Sequence, residues 1–146
     1  MGAVINPHQL KASFEQIEAL HRENQSVVLQ ISEGIKAFER RLQRLEGRME
    51  ARVSEKSEDG VITLSFEQQG SNWRLLLATK SPNGSNSTGE LLTSVSVDRQ
   101  MNAIRMLPAL LDEMIRGHER RSEELAPALT TFAELGIAEV GMYADN

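Results

Sequence analysis

The sequence predicts an α+β protein: a long N-terminal heptad helix, a three- or four-stranded antiparallel β-meander and two C-terminal helices. Changes of hydrophobic period carry that reading. From Leu10 the apolar residues recur in alternating steps of four and three, as on one face of a helix. After Val53 the period drops to two, as in strands with one buried side, and after Asp98 it returns to helical spacing. The 146 residues fit a single domain, 1–146, long enough to bury a core without disulfides or metal.

The first helix is placed at 8–53. With Phe14, His21, Val28, Ile35, Leu42 and Met49 as a positions, the d positions are Leu10, Ile17, Asn24, Ile31, Phe38, Leu45 and Arg52. The stretch QISEGIKAFERRLQRLEG, residues 30–47, is where this helix would break, because Ser32 and Gly34 stand side by side. A loop there has no reason to keep Ile31, Ile35 and Phe38 in phase, so one helix is expected to run through. Gly34 weakens it by about 1 kcal/mol relative to Ala. Such a helix is on the order of 65 Å long, well beyond the breadth of a domain of this mass. Part of its stripe therefore needs cover from outside the chain's own core, which predicts a homodimer self-associating through Leu10, Phe14, Ile17, His21, Asn24, Val28, Ile31, Ile35, Phe38, Leu42, Leu45 and Met49. His21 and Asn24 occupy successive seam positions, where polar side chains weaken pairing but select its register.

The sheet is placed at 54–97. SEKSEDG is a charged, turn-forming run, and in VITLSFEQ residues Ile62, Leu64 and Phe66 alternate with polar ones. QGSN then makes a short turn into WRLLLATK, with Trp73, Leu75 and Leu77 on one face, which predicts a hairpin. ARVSEKS adds a possible edge strand before them. SPNGSNSTG, 81–89, is loop by composition, and ELLTSVSV returns to strand, with Leu91, Thr93, Val95 and Val97 alternating.

Two helices follow within 98–136. Asp98 is the expected cap of the first, whose apolar face is Met101, Ile104, Leu107, Leu111 and Met114 or Ile115, kinked at Pro108. RGHERRSEE is read as a charged break. Ser122 or Pro127 then opens the last helix, with Leu125, Leu129, Phe132 and Leu135 inward, and Gly136 ends it. Residues 137–146 form an aperiodic tail. The order long helix, antiparallel strands, helix resembles that of small nucleoid-associated proteins that dimerise and bind DNA. That likeness is one of topology and carries no motif, so it assigns no residue.

For function, composition excludes more than it selects. A net charge of −5 argues against a general polyanion binder, and zero cysteines remove disulfides, thiolate metal sites and thiol nucleophiles while pointing to a reducing, cytoplasmic location. No signal peptide or membrane-spanning run is visible, so no membrane partner is expected. Glu18 and His21 make a single Glu-x-x-His, whereas carboxylate-bridged metal sites need a second copy and further glutamates. Gly84 and Gly89 have phosphate-loop spacing, but Glu90 and Leu91 stand where Lys and Ser or Thr are required. No nucleophile elbow is present. No catalytic residue, cofactor or metal is assigned, and the chain is expected not to be an enzyme.

Charge is less even than the total. Between Lys36 and Arg52 six basic residues stand against Glu39, Glu46 and Glu50. Lys36, Arg40, Arg44 and Arg48 share one face at four-residue spacing, which makes a nucleic-acid contact possible but not favoured. The expected function is thus a non-enzymatic protein-interaction module, a homodimeric adaptor, regulator or assembly component with an unidentified protein partner. The alternative is a DNA-binding dimer using that basic face.

Overall fold

A computed structural model describes residues 6–58, 60–84 and 89–136. It consists of helix α1 (Pro7–Gln43), strands β1 (Ala51–Ser57), β2 (Gly60–Gln69), β3 (Asn72–Lys80) and β4 (Glu90–Leu91), a 3-10 turn at Leu92–Ser94, and helix α2 (Val97–Glu134). The α+β class and the antiparallel meander are as expected. The chain has two long helices rather than three.

Helix α1 starts where local chemistry allows. Asn6 is the N-cap, its Oδ1 accepting from the backbone N–H groups of His8 and Gln9, and Pro7 stands at the first helical position, where its missing N–H is harmless. The helix runs through Ser32 and Gly34 without interruption. It ends at Gln43, not at 53 as the heptad pattern predicts, so Leu45 and Met49 lie beyond it. The chain turns back at Gly47, whose φ of 65° suits glycine, and enters β1 at Ala51.

The four strands lie in sequence order, each antiparallel to the next. Ala51 pairs with Phe66 and Val53 with Leu64, while Phe66 pairs with Leu75 and Leu64 with Leu77, so these side chains share one face. That face is the floor of the core. Ile35 and Leu42 from α1, Ala103, Met106, Leu110 and Met114 from α2, and Leu92 and Val95 between the sheet and α2 complete it. The opposite face is largely polar, with a hydroxyl pair between Ser54 and Thr63 at 2.8 Å and an ion pair between Arg52 and Glu67 at 3.2 Å. Both hairpins rely on glycine. Gly70 is first in the two-residue β2–β3 connection with φ of 61°, as in a II′ turn. A Cβ on Gly60 would lie 1.9 Å from the carbonyl oxygen of Lys80.

The predicted strand through Leu91, Thr93, Val95 and Val97 is cut short, because β4 is only Glu90–Leu91. Continued pairing would set Leu92 opposite Leu75 and Thr93 opposite Arg74, but that edge of β3 is already taken. The N–H of Leu75 donates to Glu39 Oε2 at 2.8 Å, and Gln43 Nε2 donates to the Trp73 carbonyl at 2.7 Å. Two side chains one turn apart on α1 thus cap the open edge. The chain leaves the sheet instead, and Leu92 and Val95 drop into the core.

Helix α2 also departs from expectation. Its cap is Ser96, whose Oγ accepts from the Arg99 N–H, while Asp98 sits in the first turn, where the helix dipole favours a carboxylate. RGHERRSEE is not a break. Arginine and glutamate are good helix formers, and Arg116 and Arg120 pair with Glu113, as Arg121 does with Glu124. Those guanidinium groups hold the Glu113 carboxyl below its usual range, by hydrogen bonds first and by charge second. Pro108 and Pro127 both lie inside the continuous helix. The predicted tail from residue 137 lies outside the described residues.

Two glycine substitutions test this account in opposite directions. Gly34 lies in the α1 interior with open space around it, so Gly34→Ala should stabilise the protein by about 0.5–1 kcal/mol in chemical denaturation. Gly60→Ala should destabilise by more than about 1 kcal/mol, because both its positive φ and the Lys80 carbonyl oppose a side chain.

Candidate interaction surface

Only one end of each helix belongs to the core. On α1 the buried residues are Ile35, Glu39 and Leu42, with Ile31 and Phe38 packed alongside; on α2 they run from Gln100 to Gly117. Every residue from 7 to 30 and from 118 to 136 is exposed. The 37 and 38 residues of α1 and α2 make each helix roughly 55 Å long at about 1.5 Å per residue, so both extend as arms well past the sheet they pack on.

The α1 arm is anchored by a polar clamp. Glu39 is only 6% exposed, yet its carboxylate accepts the Leu75 N–H and stands 3.2 Å from Arg74 Nε. The Nε is in ion-pair range but off the line of a hydrogen bond, and Arg74 also donates to Thr93 Oγ1 at 3.3 Å. Arg74 is thereby tied to both α1 and the turn that follows β4. Gln100 performs the related task on α2, its Nε2 donating to the Leu92 carbonyl at 3.1 Å. Where the chain passes from α1 to β1, Met49 packs on buried Gly117, its Cε at 3.5 Å from where a Cβ would stand.

The predicted self-association residues therefore divide. Ile35 (2% exposed) and Leu42 lie under the chain's own sheet, and Ile31 and Phe38 pack beside them. Leu10, Phe14 (63%), Ile17 (60%), His21, Asn24 and Val28 carry the same stripe outward, exposed, with no cover from the described residues. Leu45 is exposed beyond the helix end and Met49 faces Gly117. Leu20, Val27 and Leu29 add further exposed apolar surface to this arm.

The α2 arm corrects the reading of its residues as inward. Leu125, Leu129 (64%), Phe132 and Leu135 are all exposed, as are Met101, Leu111 and Ile115. Leu111, Ile115, Leu125, Leu129 and Phe132 follow one another at heptad spacing, with His118 and Ser122 in the gap. The spacing was legible in the sequence. Its exposure was not, because a helix shows the same period whether its face is covered by the chain or by something else.

The basic residues do not act as one patch. Lys36 pairs with Glu33 at 3.6 Å, while Arg48 reaches back to the Gln43 carbonyl and lies 6.0 Å from the Trp73 ring centroid. Arg40, Arg41 and Arg44 are exposed at the end of α1 and, among the described residues, make no ion pair. A cleft of about 360 Å³ opens between the sheet and the start of α2, lined in part by Glu55, Arg99, Asn102 and Arg105. Arg99 there is held by Glu90 at 3.0 Å and Thr79 at 3.4 Å.

No family model, curated protein or solved structure matches this chain. The reading of function therefore rests on its own surfaces. Among the described residues, no group of three His, Asp or Glu side chains is placed to hold a metal, and no helix is long and apolar enough to cross a membrane.

Sequence reasoning missed the clamp. Glu39 reads as one more charge on an amphipathic helix, although it occupies the e position beside Phe38, against the seam. Glu39→Ala would strand both the Leu75 N–H and the Arg74 guanidinium, and it should cost about 2–4 kcal/mol in urea unfolding. Glu39→Gln, which keeps an acceptor for the N–H, should lose less than the alanine variant.

Proposed function

We propose that the chain is a non-enzymatic protein-interaction module, a homodimeric adaptor, regulator or assembly component of the cytoplasm, whose helix arms are its working surfaces. One observation supports this most. The apolar stripe that packs α1 on its own sheet from Ile31 to Leu42 continues in phase, exposed and interrupted only at His21 and Asn24, from Val28 back to Leu10. Water gives no reason to keep that phase. Large apolar side chains exposed in a row along one face mark association sites when they form an extended patch, and an uncovered helix arm in water is only marginally stable by itself. The lack of cysteine fits a reducing compartment.

Light scattering after size exclusion should give twice the chain mass at tens of micromolar. A strictly monomeric wild type there removes the homodimer. The double variant Phe14→Asp with Ile17→Asp changes only exposed positions, so it should keep the far-UV circular dichroism of the sheet while weakening association by roughly a hundredfold or more, since each apolar side chain contributes about 1.5–3 kcal/mol when buried.

A DNA-binding dimer is the second reading, supported by the exposed Arg40 and Arg44 one turn apart, which make no ion pair among the described residues. It requires affinity for duplex DNA that falls steeply with salt and falls again in Arg40→Glu with Arg44→Glu. Absence of binding at low salt removes it.

A further inference from the structure

We infer that the α1 arm binds a second copy of itself in antiparallel orientation, around a two-fold axis between Arg22 and Glu23, with each His21 set against the partner's Asn24. The inference rests on the homodimer reading and adds its geometry. In an antiparallel helix pair a positions face d positions. Centring the pair on Arg22 and Glu23 places Phe14 against the partner's Ile31, Ile17 against the partner's Val28, and His21 against the partner's Asn24. Symmetry repeats each of these contacts. From Phe14 to Ile31 every apolar seam residue thus meets an apolar one, the two polar positions meet each other, donor to acceptor, at the centre, and the pairing stops short of Ile35, which lies under its own sheet.

The flanking positions agree. Beside the seam, Leu20 meets the partner's Val27, which covers two more exposed apolar side chains. On the other flank Glu18 faces the partner's Gln25 and Lys11 faces the partner's Ser32, so no like charges meet. Parallel pairing would set Leu20 against Gln25 and Val27 against Ser32. It would also place both globular parts at the same end of the pair, where Ile35 and Leu42 are already under their own sheet. Antiparallel pairing puts them at opposite ends.

The α2 arm fails the comparable test. Matching His118 to Ser122 across a two-fold axis brings Glu119 onto the partner's Glu119 and Arg121 onto the partner's Arg121. In that register its stripe does not fit a second copy of itself, whereas that of α1 does in the register that matches its own polar pair.

From Phe14 to Ile31 the paired helix is about 27 Å long at about 1.5 Å per residue. Phe14, Ile17, Leu20, Val27 and Val28 are each about half exposed and Ile31 less, so the apolar seam is smaller than the roughly 800 Å² per partner of a standard interface, as suits a short helix pair.

Absence of native cysteine makes the orientation directly readable. Ile17→Cys carrying an affinity tag is mixed with untagged Val28→Cys and oxidised with copper phenanthroline; both positions are exposed, so folding is undisturbed. The expected result is a mixed disulfide as the main covalent product, with little product from either variant alone. Leu20→Cys mixed with Val27→Cys should behave the same way. Self-linking of Ile17→Cys overturns the inference in favour of parallel pairing. A wild type that is dimeric by light scattering, with no cross-link from either mixture, overturns it while leaving the dimer intact on another surface. A monomeric wild type removes the dimer reading itself.

Discussion

The open edge of β3 is the constraint on which the rest of the structure depends. A strand edge presents backbone groups that must be paired, covered or solvated, and two parts of the chain compete for this one. Glu39 and Gln43 of α1 take its first half, through Leu75 and Trp73, and β4 takes the second, through Leu76 and Leu77. That division stops β4 after two residues, frees Leu92 and Val95 to fill the core, and fixes the height at which α1 lies on the sheet.

The arm follows from that height. Because Glu39 and Gln43 must reach the edge, the portion of α1 beneath the sheet is its last few turns, and everything before Gln30 is carried outward. The buried carboxylate is balanced by Arg74 and a backbone N–H rather than by water. Such an arrangement contributes less through its net strength than through the penalty for breaking it, and it holds α1 in one position. Helix α2 is held in turn by Gln100 at its start and by the close fit of Gly117 on Met49. Each helix is thus anchored at one end and exposed along the other.

Much of the fold was legible from the residues. The change of period at Val53 separates helix from sheet, Gly70 and Ser71 mark a hairpin, and the phase shared by Ile31, Ile35 and Phe38 is enough to keep α1 whole through Gly34. Two of the errors have one kind of cause. A heptad pattern continuing to Met49 cannot reveal that the chain must reverse at Gly47 to reach the sheet, and alternation through Val97 cannot reveal that β3 has no free edge left. The charged run after Ile115 reads as a break, although its charged residues form helix well and mark only where the helix, past buried Gly117, meets solvent.

The sequence by itself determined the class of each segment, the register of the α1 seam and the polar pair His21 and Asn24 within it, because these depend only on the order of neighbouring side chains. Only the tertiary structure decided which half of that seam is core and which is free. Burial is a relation between distant segments: Ile35 and Leu42 are covered because Glu39 and Gln43, facing β3, find its open edge, while Phe14 and Ile17, with the same pattern, lie beyond the reach of any sheet the chain can build.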